Sequence, residues 1–180
     1  MAKALIICAQ GMEECEGLMV LDLLRRAGIE TLTVALDDEK LISGSHNISF
    51  LVDATLKEAD LSDAEMLILP GGMPGTAHLC DSKELCDIIR DFASEHKWLA
   101  AICAAPSVYG RLGLLRDRQF TCFPGFEDQC GPNHTGEKVT VDGQFITARG
   151  LGAAVEFAAV IIEKLTDRQN AEITVSRIQY

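Results

Sequence analysis

The chain is built of short apolar runs separated by amphipathic stretches of helix length, and this alternation constrains its fold more than any other feature. Lys3 to Ala9 (KALIICA) is nearly continuous in apolar residues, the pattern of a strand buried on both faces. Glu14 to Ala27 places Leu18, Leu21 and Leu24 on one helical stripe, which Gly28 ends. Thr31 to Leu36, Glu65 to Leu69 and Trp98 to Ile102 read as further strands, and His46 to Val52 as one reached through a turn at Ser43-Gly44. Ser82 to Glu95 reads as a helix with Leu85, Ile88, Ile89 and Phe92 on one face and Ser82 as its cap. Ala105 to Leu112 is a second such helix. Gln119 to Cys122, Lys138 to Val141 and Gln144 to Thr147 are short strands, the last two joined through Asp142-Gly143. Ala153 to Leu165 reads as an Ala-rich helix, and Thr166 as the cap of a final one.

Strands alternating with helices imply an α/β sandwich with a mostly parallel sheet covered on both faces, plus one small antiparallel hairpin. The 180 residues suit one domain, 1–180, with no linker or repeat. With 16 Lys+Arg against 27 Asp+Glu, the net charge of -11 argues against stable binding to nucleic acid or an anionic membrane, which needs a basic face. The Met1 to Gln10 run is too short for a signal-peptide core or a membrane span, so a cytoplasmic protein is expected. The seven Cys are odd in number and include no CxxC pair. They fit a reducing compartment in which most thiols are small buried hydrophobes and one is reactive.

Ligands of open α/β sheets bind beyond the carboxyl ends of the strands, which directs attention to three turns. Cys103-Ala104-Ala105-Pro106 sets a Cys between a buried strand and a helix, flanked by small residues, as in a nucleophile elbow. The following helix N-terminus is expected to lower the thiol pKa. Pro70-Gly71-Gly72-Met73-Pro74-Gly75 either makes a tight turn or aims N–H groups at a developing oxyanion. It matches neither the dinucleotide fingerprint nor the phosphate-binding loop, so no nucleotide cofactor is expected. The third turn gathers Glu13, Glu14 and Glu16 around Cys15, and spacing alone does not say which carboxylate faces the sheet edge. His46, His78, His96 and His134 show no metal-ligand spacing, so no metal is expected.

In this order and spacing the chain resembles the DJ-one (ThiJ/PfpI) superfamily, in its DJ-one-like, YajL-like branch. The carriers are GMEECE at Gly11 to Glu16, RRAGI at Arg25 to Ile29, LPGGMPG at Leu69 to Gly75, AAICAAP at Ala100 to Pro106 and TARGLG at Thr147 to Gly152. The resemblance implies a flavodoxin-like three-layer sandwich, a homodimer with Arg26 at its interface, and no cofactor. It makes Cys103 the reactive cysteine and Glu16 the carboxyl bonded to its sulfur. Gly72 and Ala104 become backbone donors to the reacting oxygen, and Gly71, Phe123, Arg149 and Gly150 line the pocket. A carboxylate beside a thiolate opposes it, so Glu16 is expected to keep its proton, and the two groups to titrate together.

Three departures stand out. Ala104 follows the Cys where the protease-like branch has His, which argues against a peptidase. Phe123 stands where some members carry a loop His. Leu151 and Ala153 replace a usual Pro and Thr. The resemblance implies a glyoxalase or protein/nucleic-acid deglycase acting on methylglyoxal, glyoxal or their adducts. The alternative is an oxidative-stress sensor or redox-regulated chaperone in which Cys103 becomes a sulfinate. A third reading keeps the dimeric fold without activity.

Overall fold

The computed structural model describes residues 3–180; Met1 and Ala2, where the N-terminal run begins, lie outside the described residues. In chain order the strands are β1 (Lys3–Cys8), β2 (Glu30–Ala35), β3 (Leu41–Ser43), β4 (Ser49–Leu51), β5 (Ala54–Thr55), β6 (Met66–Leu69), β7 (Trp98–Ile102), β8 (Val139–Asp142) and β9 (Phe145–Ala148). The helices are α1 (Glu14–Arg26), α2 (Gly75–Asp81), α3 (Lys83–Ser94), α4 (Pro106–Arg111), α5 (Glu127–Cys130), α6 (Ala154–Leu165) and α7 (Arg168–Arg177). A seven-stranded sheet runs in the order β5-β2-β1-β6-β7-β9-β8, and β3 pairs with β4 in a separate hairpin. All pairings in the large sheet are parallel except β8 with β9. The flavodoxin-like α/β architecture expected from the sequence is present.

The continuous apolar runs follow from burial on both faces, because successive side chains of a strand point to opposite sides. Ala4, Ile6 and Cys8 of β1 join one core with Val20 and Leu24 of α1 and Phe157 and Ile161 of α6. Leu5, Ile7 and Ala9 join the other, with Leu85 and Ile89 of α3 and Val108 and Tyr109 of α4. A core aromatic such as Phe157, fully buried, makes truncation to Ala cost about 3–5 kcal/mol.

Local signals were mostly met. Gly28 takes φ +79 after α1, and Ser82 Oγ accepts the Leu85 N–H at 3.2 Å. Three readings need correction. Gln119 to Cys122 is not a strand and makes one isolated bridge, Phe120 with His134. Its N–H groups go elsewhere: Gln119 donates to Asp142 Oδ2 at 2.8 Å and Thr121 to Thr147 Oγ1 at 2.9 Å. The cap of α7 is Asp167, whose carboxylate accepts the Asn170 N–H at 2.8 Å, while Thr166 Oγ1 donates back to Ile162. Asp142 pairs with Phe145, so the tight turn is Gly143-Gln144, one residue later than expected, with Gly143 at φ +58.

Candidate active site

Cys103 follows β7 directly and takes φ +64, a left-handed conformation that costs a non-glycine residue about 1–2 kcal/mol. Hydrogen bonds hold it there. Its N–H donates to Ala148 O at 2.9 Å, and its carbonyl accepts the Phe123 N–H at 2.8 Å. The sharp turn lifts the side chain out of the strand row and over the end of the sheet. The thiol then lies among backbone N–H groups, with those of Ala104 and Gly72 hydrogen-bonded to it.

Glycine at 71 is required by approach rather than by φ. A Cβ there would stand 2.6 Å from Cys103 Cβ and 2.9 Å from the Ile102 carbonyl. Gly72 needs its identity twice over, because φ is +86 and a Cβ would lie 2.2 Å from the Glu13 nitrogen. The two glycines divide their donors. Gly71 donates to Glu16 Oε2 at 2.9 Å, and Gly72 to the Cys103 sulfur.

Glu16 sits in the first turn of α1 and is 1% exposed. Its carboxyl accepts the Gly71 N–H, and the Cys103 side chain and the Leu151 backbone lie near enough to act on its ionisation. Burial pushes its pKa up to about 7, against the pull of the Gly71 N–H and the Cys103 side chain. The Cys103 thiol is pushed up to about 12, first by burial and then by the Glu16 charge, with the N–H groups of Ala104 and Gly72 working the other way. The lowered thiol pKa expected from the helix is therefore corrected. Helix α4 begins only at Pro106, and burial beside a carboxylate outweighs two backbone donors.

The three glutamates of the first turn separate clearly. Glu16 meets Cys103. Glu14, 1% exposed, accepts the His46 and Ile48 N–H groups and anchors the β3–β4 connection. Burial raises its pKa, but those backbone donors hold it below the usual carboxylate range. Glu13 meets His46 Nδ1 at 3.1 Å and Ser45 Oγ at 3.2 Å. Glu13, Glu14 and His46 bring three ligand-type atoms within 4.8 Å of one another, though two backbone N–H groups already occupy Glu14.

Beside the elbow, Phe123 is 47% and Leu151 43% exposed, and a Cβ on the buried Gly150 would approach the Phe123 ring at 3.3 Å. Arg149 is exposed, and its N–H donates to Lys138 O. Arg26 lies apart, at the far end of α1, and pairs with Asp22 at 2.5 Å. Ten residues of helix separate it from Glu16, about 15 Å. His134 packs on Phe120 at 5.6 Å between ring centroids, and Cys15 faces solvent. All seven thiols are free, but only Cys8, Cys122 and Cys130 are buried, fewer than the majority expected. The Leu151 and Gly71 donors to Glu16 escaped sequence reasoning, because a backbone N–H leaves no residue-type signature.

The model of the DJ-1/PfpI family matches residues 2–164. The chain belongs to the DJ-1/PfpI family. Within the family, it is 33% identical over 173 residues to Protein dj-1beta of Drosophila melanogaster, covering 94% of this chain and 92% of that protein. It is 33% identical over 169 residues to Protein DJ-1 homolog B of Arabidopsis thaliana, covering 93% of this chain but only 39% of that longer protein. Among solved structures, oxidized DJ-1 of Toxoplasma gondii superposes with a TM-score of 0.95 at 30% identity, covering 100% of this chain and 99% of that one. Among the described residues, no helix is long and apolar enough to cross a membrane.

Proposed function

We propose that this protein is a cofactor-free, cysteine-dependent enzyme of the DJ-1 type that acts on methylglyoxal, glyoxal or their adducts as a glyoxalase or deglycase. The observation that supports it most is the buried Glu16 carboxyl, held by the Gly71 N–H at 2.9 Å beside the Cys103 side chain, with burial pushing its pKa up to about 7. General acid–base groups work best near the operating pH and contribute about 10²–10⁴-fold. With one proton on the pair, transfer from Sγ to Glu16 makes the nucleophile as sulfur attacks the aldehyde carbon. The Gly72 and Ala104 N–H groups would meet the oxygen on which charge develops. Glu16 then moves a proton between the two substrate carbons, turning the hemithioacetal into a thioester that water hydrolyses to lactate. Gly71, Phe123, Arg149 and Gly150 would border the substrate. Peptidase activity is not part of this reading, since Ala104 follows the nucleophile.

The test is lactate formation from methylglyoxal by wild type and Cys103→Ser. The account expects the variant to fall to the uncatalysed rate; equal rates would overturn it. The reading also makes the protein a cytoplasmic homodimer with Arg26 at the interface, and sedimentation of wild type and Arg26→Glu tests that part.

A second reading, an oxidation sensor or redox-regulated chaperone, draws on the solved relative described as oxidized DJ-1 of Toxoplasma gondii. Here peroxide would convert Cys103 to a sulfinate held by Glu16 and the same N–H groups. Peptide mass analysis after mild peroxide decides it. Two oxygens on Cys103 support the reading, and an unmodified Cys103 beside oxidised neighbours removes it.

A further inference from the structure

Away from Cys103, a cavity of about 220 Å³ opens between α2, α4 and α5, with Thr76, Cys80, Ser107, Arg111, Phe126 and Gln129 among its lining residues. Its polar groups are arranged around a thiol. The Cys80 side chain is partly exposed and shares the cavity wall with Ser107, whose hydroxyl donates to Ala104 O at 2.7 Å. Arg111 lies within electrostatic reach of the sulfur and donates one N–H to Gln129 Oε1 at 3.1 Å. A guanidinium has five N–H donors, so others are free for a ligand. Thr76, 2% exposed, lines the same cavity, and its Oγ1 has no hydrogen-bond partner. An unpaired buried hydroxyl is unfavourable, and a polar ligand in the cavity would satisfy it.

We propose that this cavity is a thiol-modification site at which Cys80 exchanges with small, carboxylate-bearing disulfides of amino-acid size. The volume sets the size, because drug-sized ligands occupy about 300–1,000 Å³. Arg111 sets the charge, since a guanidinium matches a carboxylate in planar, bidentate fashion. Burial raises the Cys80 pKa and the Arg111 charge works against that rise, while Asp81 and Cys86 add to it, so a ligand's carboxylate is accommodated on the Arg111 side. In the exchange, Cys80 loses its proton to solvent and its sulfur attacks one sulfur of the disulfide. The new S–S bond forms as the old one breaks, and the departing thiolate carries off the electron pair and takes up a proton. No further oxidant is needed.

Cys15 serves as the control within the same molecule, because it is exposed and flanked by Glu13, Glu14 and Glu16. The experiment follows consumption of each free thiol, by peptide mass mapping, with L-cystine and with cystamine, which lacks carboxylates and is cationic. Cys80 is expected to react roughly tenfold faster with L-cystine than with cystamine, the scale of one charge-assisted hydrogen bond. Cys15 is expected to show the opposite order, and Arg111→Gln to give Cys80 the order of Cys15. Thr76→Val is expected to slow only the reaction of Cys80 with L-cystine. A Cys80 that stays free while Cys15 reacts, or that follows the Cys15 order in wild type, would overturn the proposal even if the variants failed to fold.

Discussion

The Glu16 carboxyl and the Cys103 side chain both close on Gly71, and the ionised carboxyl opposes ionisation of the thiol. Two such groups in a buried site share protons as a unit, so one negative charge is accommodated far more readily than two. The one-proton state has two tautomers, carboxylate with thiol and carboxylic acid with thiolate. The N–H groups of Ala104 and Gly72 favour the second, and those of Gly71 and Leu151 the first.

This coupling gives stability a defined pH dependence. The folded-state pKa of Glu16, about 7, lies above its ordinary 4.5. A raised pKa means that the native state binds the proton more tightly, so its contribution is complete below pH 4.5 and is lost as pH rises through 7. Urea unfolding should show wild type losing stability relative to Glu16→Gln across that window, by up to about 1.4 kcal/mol per pH unit. A difference that stays flat with pH would show that Glu16 is ionised throughout.

Gly71 is fixed by the nucleophile itself. Gly71→Ala places a methyl group 2.6 Å from Cys103 Cβ and 2.9 Å from a backbone oxygen, neither of which is the end of a flexible chain. Urea unfolding should show a loss of about 1–3 kcal/mol, the usual cost of overpacking. Alkylation of Cys103 should slow in the same variant, because the loop carrying the Gly72 donor must shift.

The elbow strain is also measurable. Because Cys103 holds φ +64, Cys103→Gly should be more stable than Cys103→Ala by about 1 kcal/mol, the reverse of the order at an ordinary strand end. Equal stabilities would mean that the turn carries no strain.

Much of the fold was legible because burial on both faces leaves continuous apolar runs, as in β1 and β7, and because Gly28 and Ser82 mark helix ends chemically. The Cys103 elbow was legible for a related reason: a lone Cys between small residues, at the end of such a run, has few other uses. The choice among Glu13, Glu14 and Glu16 was not. It depends on the rotation of α1 against Gly71 and on the β3–β4 hairpin that captures Glu14, both set by contacts 30–55 residues away in sequence. Gln119 to Cys122 misled because the β-branched, apolar character of Phe120 to Cys122 resembles a strand, while the Gln119 and Thr121 N–H groups are claimed by the side chains of Asp142 and Thr147. The direction of the Cys103 pKa was missed for the same kind of reason, since burial is a property of the assembled site.

The most direct test of the Cys103–Glu16 account is titration of the Cys103 thiolate, followed by its ultraviolet absorbance or by the pH dependence of its alkylation, in wild type and Glu16→Gln. Wild type should titrate near 12, and the variant lower, because a neutral amide removes the opposing charge. A thiol pKa that is unchanged or higher in Glu16→Gln would contradict the coupling on which the proposed chemistry rests.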